Sequence, residues 1–545
     1  MFSAVIAAIV GIATVVALFR LKGKRRSKVQ AKDILSPADV VYTKSCKKKL
    51  LGAIEEAQEG AISTYEGQAS IISKLLSGGL VSVDGLLRKN AHELFILHRE
   101  AGPVVEGGLG VRITVQLNLF GGSVANLGSV DQRTWLQGVF DRGELGCFCL
   151  TEAGAGVLSG LVVDTTATFV GGDEPHFDLH SPTLASRKTW ISQGLTSKWG
   201  VVIARLLVKD PQTNEVTVDK GPHAFVIDMK AKGCHVEDMP SKIDFNGLDN
   251  ANVWFEHMRL DLDAMLTGIS SVSADGLYHL KNPDVPFRFV EVAQRLLSGR
   301  ICIAGAGVNQ ARKVLDAVES YSEKRLIPTG RDQKTPLSEL PVMRDTLEEL
   351  KAVMCVFRHF TKSVEDSFIS DPTITDELVH RIACGKIEAV GFCIDAILAL
   401  KARVGSLSLQ DEGPFGSKTD ILYVYRFAEG DTSILRQKMA RDSLKAVAKN
   451  GIFKELLNIP LSLILNKGGV GCTRAKLSWT LVKLAAKFVG KRGKAKLKAW
   501  FEAHREVERV AKLRALLTVY DDVRGREGLR GSRELQLFKQ RYFGH

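Results

Sequence analysis

Glu429 opens the run Glu429-Gly430-Asp431-Thr432-Ser433-Ile434, a carboxylate followed by a glycine and three residues whose side chains cap helices. Gly430 frees the backbone for a turn, and Asp431, Thr432 or Ser433 can cap a helix beginning near Ile434. A glutamate at a helix entry ordinarily contributes ~0.3–1 kcal/mol through the helix dipole. Taken out of water, the same carboxylate becomes a general base, because burial raises its pKa. A second candidate is Cys147-Phe148-Cys149-Leu150-Thr151-Glu152-Ala153-Gly154-Ala155-Gly156, where a β-run ends in small residues that let backbone N–H groups approach an anionic or polar ring. A tight loop is the other reading of that stretch. A third is Tyr321-Ser322-Glu323-Lys324-Arg325, whose guanidinium matches phosphate geometry or a surface ion pair. The nine cysteines show no paired CxxC spacing, so neither zinc nor a disulfide framework is expected.

These groups need scaffolding from several domains, and 545 residues at 45% hydrophobic and 25% charged composition supply it. The net charge of +13 sits at the ends. Residues 1–32 carry seven Lys or Arg and no acid, residues 471–545 carry nineteen against seven acids, and the stretch between is net acidic. That distribution argues against a nucleic-acid groove in the body. Met1 to Phe19 is uncharged and apolar, and Arg20, Lys22, Lys24, Arg25, Arg26 and Lys28 follow at once. At ~1.5 Å per residue the run reaches ~28 Å, enough to span a bilayer, so residues 1–20 are expected to be an uncleaved anchor, with a targeting peptide as the other reading. The basic linker at 21–40 puts the body on the cytosol-like face.

Periodicity divides the rest. A helical pattern covers 41–143, short β-rich runs separated by Gly, Asp and Asn cover 144–265, and helices return over 266–450. Within the last block, Val308, Ala311, Leu315 and Val318 mark a buried helical face. Further helices are expected over 341–370, 375–404 and 434–449. The tail at 451–545 is basic, and Lys491, Arg492, Lys494, Lys496 and Lys498 make it a candidate membrane-surface or anionic-partner helix, or a solvated face.

The motifs, taken in order, resemble those of the acyl-CoA dehydrogenase and oxidase superfamily. Cys149 to Gly156 is similar to its C-x-T-E-x-G-x-G flavin segment, and Lys188-Thr189-Trp190-Ile191-Ser192-Gln193-Gly194 looks like its second flavin segment. Asn246-Gly247-Leu248-Asp249-Asn250 resembles the oxidases' N-G-x-D-N signature, Tyr321 to Arg325 their Y-[AS]-x-x-R element, and Glu429-Gly430-Asp431 the E-G-x motif of the catalytic glutamate. The resemblance implies an α+β fold: an N-terminal helical domain, a central β-barrel domain and a C-terminal helical bundle, here with an N-terminal membrane anchor added.

The resemblance also implies a chemistry. Glu429 removes the α-proton of a fatty acyl-CoA, hydride passes from the β-carbon to N5 of FAD, and trans-2-enoyl-CoA results. Phe148, Leu150, Thr151, Gly156, Trp190, Ser192, Arg325, Gly405, Gly430 and Asp431 stand where the family binds the cofactor, Arg325 commonly reaching it from the neighbouring subunit of a homodimer. The Gly-Gly-x-Gly-aromatic loop that holds the adenine half of FAD is replaced by Val404-Gly405-Ser406-Leu407-Ser408-Leu409, with only Gly405 retained. The implied function is an acyl-CoA oxidase of fatty acid β-oxidation, reoxidised by O2, in the peroxisome. The alternatives are a dehydrogenase serving an electron-transfer flavoprotein, with the mitochondrion as its place, and a non-enzymatic acyl-CoA-binding scaffold.

Overall fold

The computed structural model describes residues 37–544 apart from 58–60, 102–106, 157–158, 160–161, 214, 243–244, 283–293, 372, 411–414, 416–421, 452–468, 489 and 527. The expected anchor at 1–20 lies outside the described residues, among which no helix is long and apolar enough to cross a membrane.

The chain begins with helices α1 (Pro37–Glu55), α2 (Tyr65–Ser77), α3 (His92–Ala101) and α4 (Gly107–Ile113). A wider π-helical turn, Thr114–Gly121, leads without a break into α5 (Gly122–Leu127), and α6 (Val130–Asp141) closes the block. The start of α6 is set by Ser129, which accepts from the Gln132 N–H while the Gln132 side chain accepts from the Ser129 N–H, two orphan donors satisfied reciprocally.

Strands follow. One sheet holds β1 (Gly146–Cys149), β2 (Thr166–Val170), β3 (His176–His180), β5 (Trp199–Lys209), β6 (Val216–Asp228) and β9 (Met258–Asp261). A second, three-stranded sheet holds β4 (Lys188–Ser192), β7 (Cys234–Asp238) and β8 (Asn250–Phe255). Alternate residues of β2, β3 and β8 are buried, whereas β5 is buried almost continuously, as a central strand requires. Phe169, Phe177, Phe225, Val253 and Phe255 from both sheets share one core.

The expected barrel is therefore two sheets facing one core, not one closed ladder. The register of β4 breaks between Lys188 and Ile191, Trp190 and Gln193 take left-handed backbone (φ 58° and 65°), and a single bridge, Glu152 to Lys188, ties β4 to the end of β1. Two short strands, β10 (Ser270–Val272) and β11 (Tyr278–Leu280), carry the β-structure past the expected end at 265.

The second helical part starts with α7 (Gln294–Lys324), which buries Val308, Ala311, Leu315 and Val318. After the two-stranded ribbon β12 (Leu326–Pro328) and β13 (Lys334–Pro336) come α8 (Pro341–Ser370), α9 (Asp376–Cys384), a second π-helical turn (Gly385–Ala389), α10 (Val390–Val404) and α11 (Thr432–Asn450). The described part of the basic tail is helical. α12 (Gly469–Ala486), α13 (Gly493–Glu502), α14 (His504–Val523) and α15 (Arg533–Phe543) follow, and Leu477, Leu481, Val507 and Val510 form with Ala440 and Val447 of α11 a separate apolar core.

One buried ion pair joins the N-terminal helices to the sheets. Arg112 of α4 reaches Asp249 at 2.5 Å, both side chains fully buried, and also donates to Gly247 O and Thr196 Oγ1. Asp249 in turn accepts from the Leu195 N–H at 2.8 Å. The N-G-x-D-N run thus acts as a structural tie. Replacing Asp249 with Ala leaves the guanidinium buried without its charge partner, and a loss of about 3–5 kcal/mol is expected in a denaturant titration.

Candidate active site

The turn before α11 is bent by two successive left-handed residues, Glu429 (φ 58°) and Gly430 (φ 100°). Glycine accepts that conformation freely, but for a glutamate it costs on the order of 1–3 kcal/mol and persists only where the surroundings impose it. Three groups impose it. Lys386, at the π-helical turn after α9, donates to Arg426 O (2.7 Å), Gly430 O (2.8 Å) and Thr432 Oγ1 (3.1 Å). Arg300 Nε of α7 donates to Glu429 O at 2.8 Å. The Asp431 side chain caps α11, accepting from the N–H groups of Ser433 (2.7 Å) and Ile434 (3.3 Å). The same turn leaves the Glu429 N–H without a hydrogen-bond partner among the described residues.

The Glu429 side chain runs inward, 8% exposed. Its Oε1 accepts a long bond from Asn118 Nδ2 (3.4 Å), and Oε2 is buried with no partner among the described residues. Asn118 is aimed by two further contacts: Ser298 Oγ donates to its Oδ1 at 2.6 Å, and its Nδ2 also donates to Arg295 O at 2.9 Å. Gly299 makes room. A Cβ there would lie 2.2 Å from the Glu429 Cδ and Oε1 and 2.6 Å from Oε2, so only glycine lets the carboxylate lie against α7. Burial pushes the Glu429 pKa up to about 8 against the opposing pull of Arg300, Asn118, Lys386 and Arg295. Burial likewise pushes Arg295 and Arg300 down to about 10 and Lys386 to about 7.

Five other candidate residues, Phe148, Leu150, Thr151, Trp190 and Ser192, lie on or next to β1 and β4. Glu152 is buried and ion-paired to Lys188 at 2.8 Å, and it accepts from the N–H groups of Asp164 (2.7 Å) and Thr165 (3.0 Å). The loop after β1 is thereby pinned to β4, and the Thr189 N–H donates to Thr151 O at 2.9 Å. Beside this seam Phe148 and Leu150 are half-buried and Thr151 is exposed. Trp190 presents 58% of its surface on left-handed backbone, and Ser192 Oγ accepts from Asn250 Nδ2 at 3.1 Å. Gly156, Arg325 and Gly405 are exposed, and no hydrogen bond or ion pair among the described residues joins them to this seam.

The π-helical turn Thr114–Gly121 connects the two clusters. Asn118 meets Glu429, and two residues earlier Gln116 Oε1 accepts from the Gly146 N–H of β1 (2.8 Å) and from Gln193 Nε2 (3.3 Å). Sequence reasoning did not single out Gln116, Asn118, Ser298, Gly299 or Lys386. The only available signal was polar residues inside apolar helical runs, as in Val115-Gln116-Leu117-Asn118-Leu119.

This chain is similar to proteins of the acyl-CoA oxidase and acyl-CoA dehydrogenase type. No family model matches the chain. It is 27% identical over 376 residues to acyl-coenzyme A oxidase 2, peroxisomal, of Arabidopsis thaliana, covering 65% of this chain and 53% of that protein. To the peroxisomal acyl-coenzyme A oxidase 3 of Homo sapiens it is 29% identical over 255 residues, covering 45% and 35%. To the human mitochondrial short-chain specific acyl-CoA dehydrogenase it is 27% identical over 242 residues, covering 44% and 50%. The chain thus spans about half the length of several curated relatives. Among solved structures, the fold resembles Yarrowia lipolytica acyl-CoA oxidase 3 (TM-score 0.72, 19% identity, 92% of this chain and 77% of that one). It also resembles Caenorhabditis elegans acyl-CoA oxidase-2, solved with FAD, ascaroside-CoA and ATP (TM-score 0.71, 20% identity, 89% and 76%). A Mycobacterium smegmatis glutaryl-CoA dehydrogenase gives 0.57 over 74% of the chain at 17% identity, so the likeness leans toward the oxidases.

Two substitutions check the geometry. In Lys386→Met two backbone carbonyls lose a buried donor, each worth about 1–3 kcal/mol, and a clear drop in denaturant midpoint is expected. In Gly299→Ala the added methyl expels the Glu429 carboxylate from its niche; a crystal structure of the variant will find that side chain turned away.

Proposed function

We propose that the chain is an FAD-dependent acyl-CoA oxidase that converts fatty acyl-CoA to trans-2-enoyl-CoA, with Glu429 as the base and O2 as the electron acceptor, giving H2O2. The observation that carries the reading is the Glu429 carboxylate: desolvated, with Oε2 unpaired, and aimed by Asn118 and Gly299. A carboxylate in water, with a pKa near ~4.3, is too weak a base for an α-proton beside a thioester. Burial that lifts it to about 8 narrows the gap. The unpaired Glu429 N–H supplies a donor for the thioester oxygen, where negative charge develops as the proton leaves.

FAD fits the seam between β1 and β4. The exposed Trp190 supplies a flat wall, Phe148 and Leu150 an apolar flank, Thr151 and Ser192 polar contacts at the ring edge, and the small residues up to Gly156 close approach of backbone. Arg325 and Gly405, both exposed, suit contacts with the cofactor of a second subunit in a homodimer. Gly430 supports the base through its backbone, and the Asp431 carboxylate is engaged in capping, so its part at the cofactor is indirect. When bound, FAD accepts the hydride that leaves the β-carbon. The peroxisomal names of the relatives favour that organelle. A membrane tether over residues 1–20 rests on sequence alone.

Purified protein is expected to be yellow and to bleach anaerobically with a fatty acyl-CoA. Glu429→Gln should keep the colour and slow bleaching on the order of 10²–10⁴-fold. Colourless protein that cannot be reconstituted with FAD would sink the reading and favour the scaffold alternative, to which the altered loop at Gly405 points.

The bleaching rate at subsaturating acyl-CoA should rise with pH through an inflection near 8, since the base acts ionised. Stability should move the opposite way. Native Glu429 binds its proton more tightly than the unfolded chain does, so stability falls between the ordinary carboxylate range and about pH 8. The slope is about 1.4 kcal/mol per pH unit. Denaturant titrations at several pH values should find that slope reduced in Glu429→Gln.

A further inference from the structure

We propose that a recess between α12 and α14 is a binding site for a phosphate-bearing ligand, separate from the Glu429 site and sharing no residue with it. The recess encloses about 310 Å³, within the size range of small-molecule sites. Lys476, Trp479, Thr480 and Lys483 line one wall. Their spacing places them on one face of α12, while Leu477, Leu481 and Leu484 turn into the apolar core shared with α11 and α14. Arg505 and Arg509, one helical turn apart on α14, line the opposite wall with Glu506.

Lys476, Lys483, Arg505 and Arg509 take part in no ion pair among the described residues, while the acids nearby, Glu506, Glu508 and Asp521, are each engaged by a cation outside the recess. Glu506, the one acid in the recess, is hydrogen-bonded to Lys487, which holds its carboxyl below the usual range. Glu508 is paired with Arg436 and Asp521 with Arg474. Four unpaired cations around one concavity repel each other, and an anion with more than one negative charge offsets that repulsion best. Two guanidiniums offer the donor fork that suits phosphate oxygens, and the lysines add point charges.

Trp479 fixes the rest of the ligand. It is 49% exposed, with the Lys483 Nζ 5.1 Å from its ring centroid, so an apolar or planar portion of the ligand can lie on the indole while its phosphate meets the cations. Two sources share this chemistry: a free phosphorylated metabolite and the headgroup of an anionic phospholipid.

Full-length protein titrated with inorganic pyrophosphate should give a saturable change in tryptophan fluorescence that disappears in Trp479→Phe. Apparent affinity should fall by at least about tenfold in Lys483→Glu/Arg509→Glu. Both substitutions lie at exposed positions, and an unchanged far-UV circular dichroism spectrum checks folding. Co-sedimentation with phosphatidylcholine vesicles, with and without phosphatidic acid, separates the sources. Phosphatidic-acid-dependent binding lost in the double variant identifies a headgroup. A pyrophosphate response without it identifies a free phosphorylated compound. No saturable response to either probe, or responses unchanged by the charge reversal, overturns the proposal.

Discussion

Everything around Glu429 serves to keep one carboxylate out of water. Three cations, Arg295, Arg300 and Lys386, oppose its protonation, yet desolvation outweighs them and the pKa rises to about 8. Arg300 and Lys386 spend their hydrogen bonds on the carbonyls of the 426–430 turn rather than on the carboxylate. They act as mechanical restraints on a left-handed glutamate, and Oε2 is left open. A direct ion pair would have held the side chain as firmly, but it would have lowered the basicity that burial supplies.

That restraint reaches the rest of the molecule through two π-helical turns, a form that appears frequently at functional sites. One, Gly385–Ala389, carries Lys386 under the turn; the other, Thr114–Gly121, carries Asn118 to the carboxylate and Gln116 to β1. Residues two positions apart on a helix face different sides, so Gln116 and Asn118 serve two different neighbours. Arg112, immediately before, ties the same helical stretch to Asp249. The Glu429 carboxylate and the seam between β1 and β4 are therefore registered to one another by residues 112–118.

Local patterning made much of the architecture legible. The burial of Val308, Ala311, Leu315 and Val318 and the bounds of the 341–370 helix follow from 3.6-residue periodicity, and the runs around 165–170 and 201–207 from alternation or continuous apolarity. How the strands pair was not legible. Which strands join which sheet depends on pairings such as β4 with β8 and β3 with β9, whose partners are far apart in sequence. The tail reads as a membrane-surface or anionic-partner helix, or a solvated basic face, because its charges are frequent, yet its leucines and valines close a core with α11.

The sequence by itself determined the order of the motifs and the turn chemistry at Glu429-Gly430-Asp431, because turns and caps are set by residues within a few positions of one another. Tertiary structure alone decided that this carboxylate is desolvated and unpaired. That state depends on Gly299 lacking a side chain, on Asn118 being aimed by Ser298, and on Lys386 reaching three oxygens of the turn. Those residues lie on distant segments whose approach is fixed by packing, and no short-range pattern encodes it.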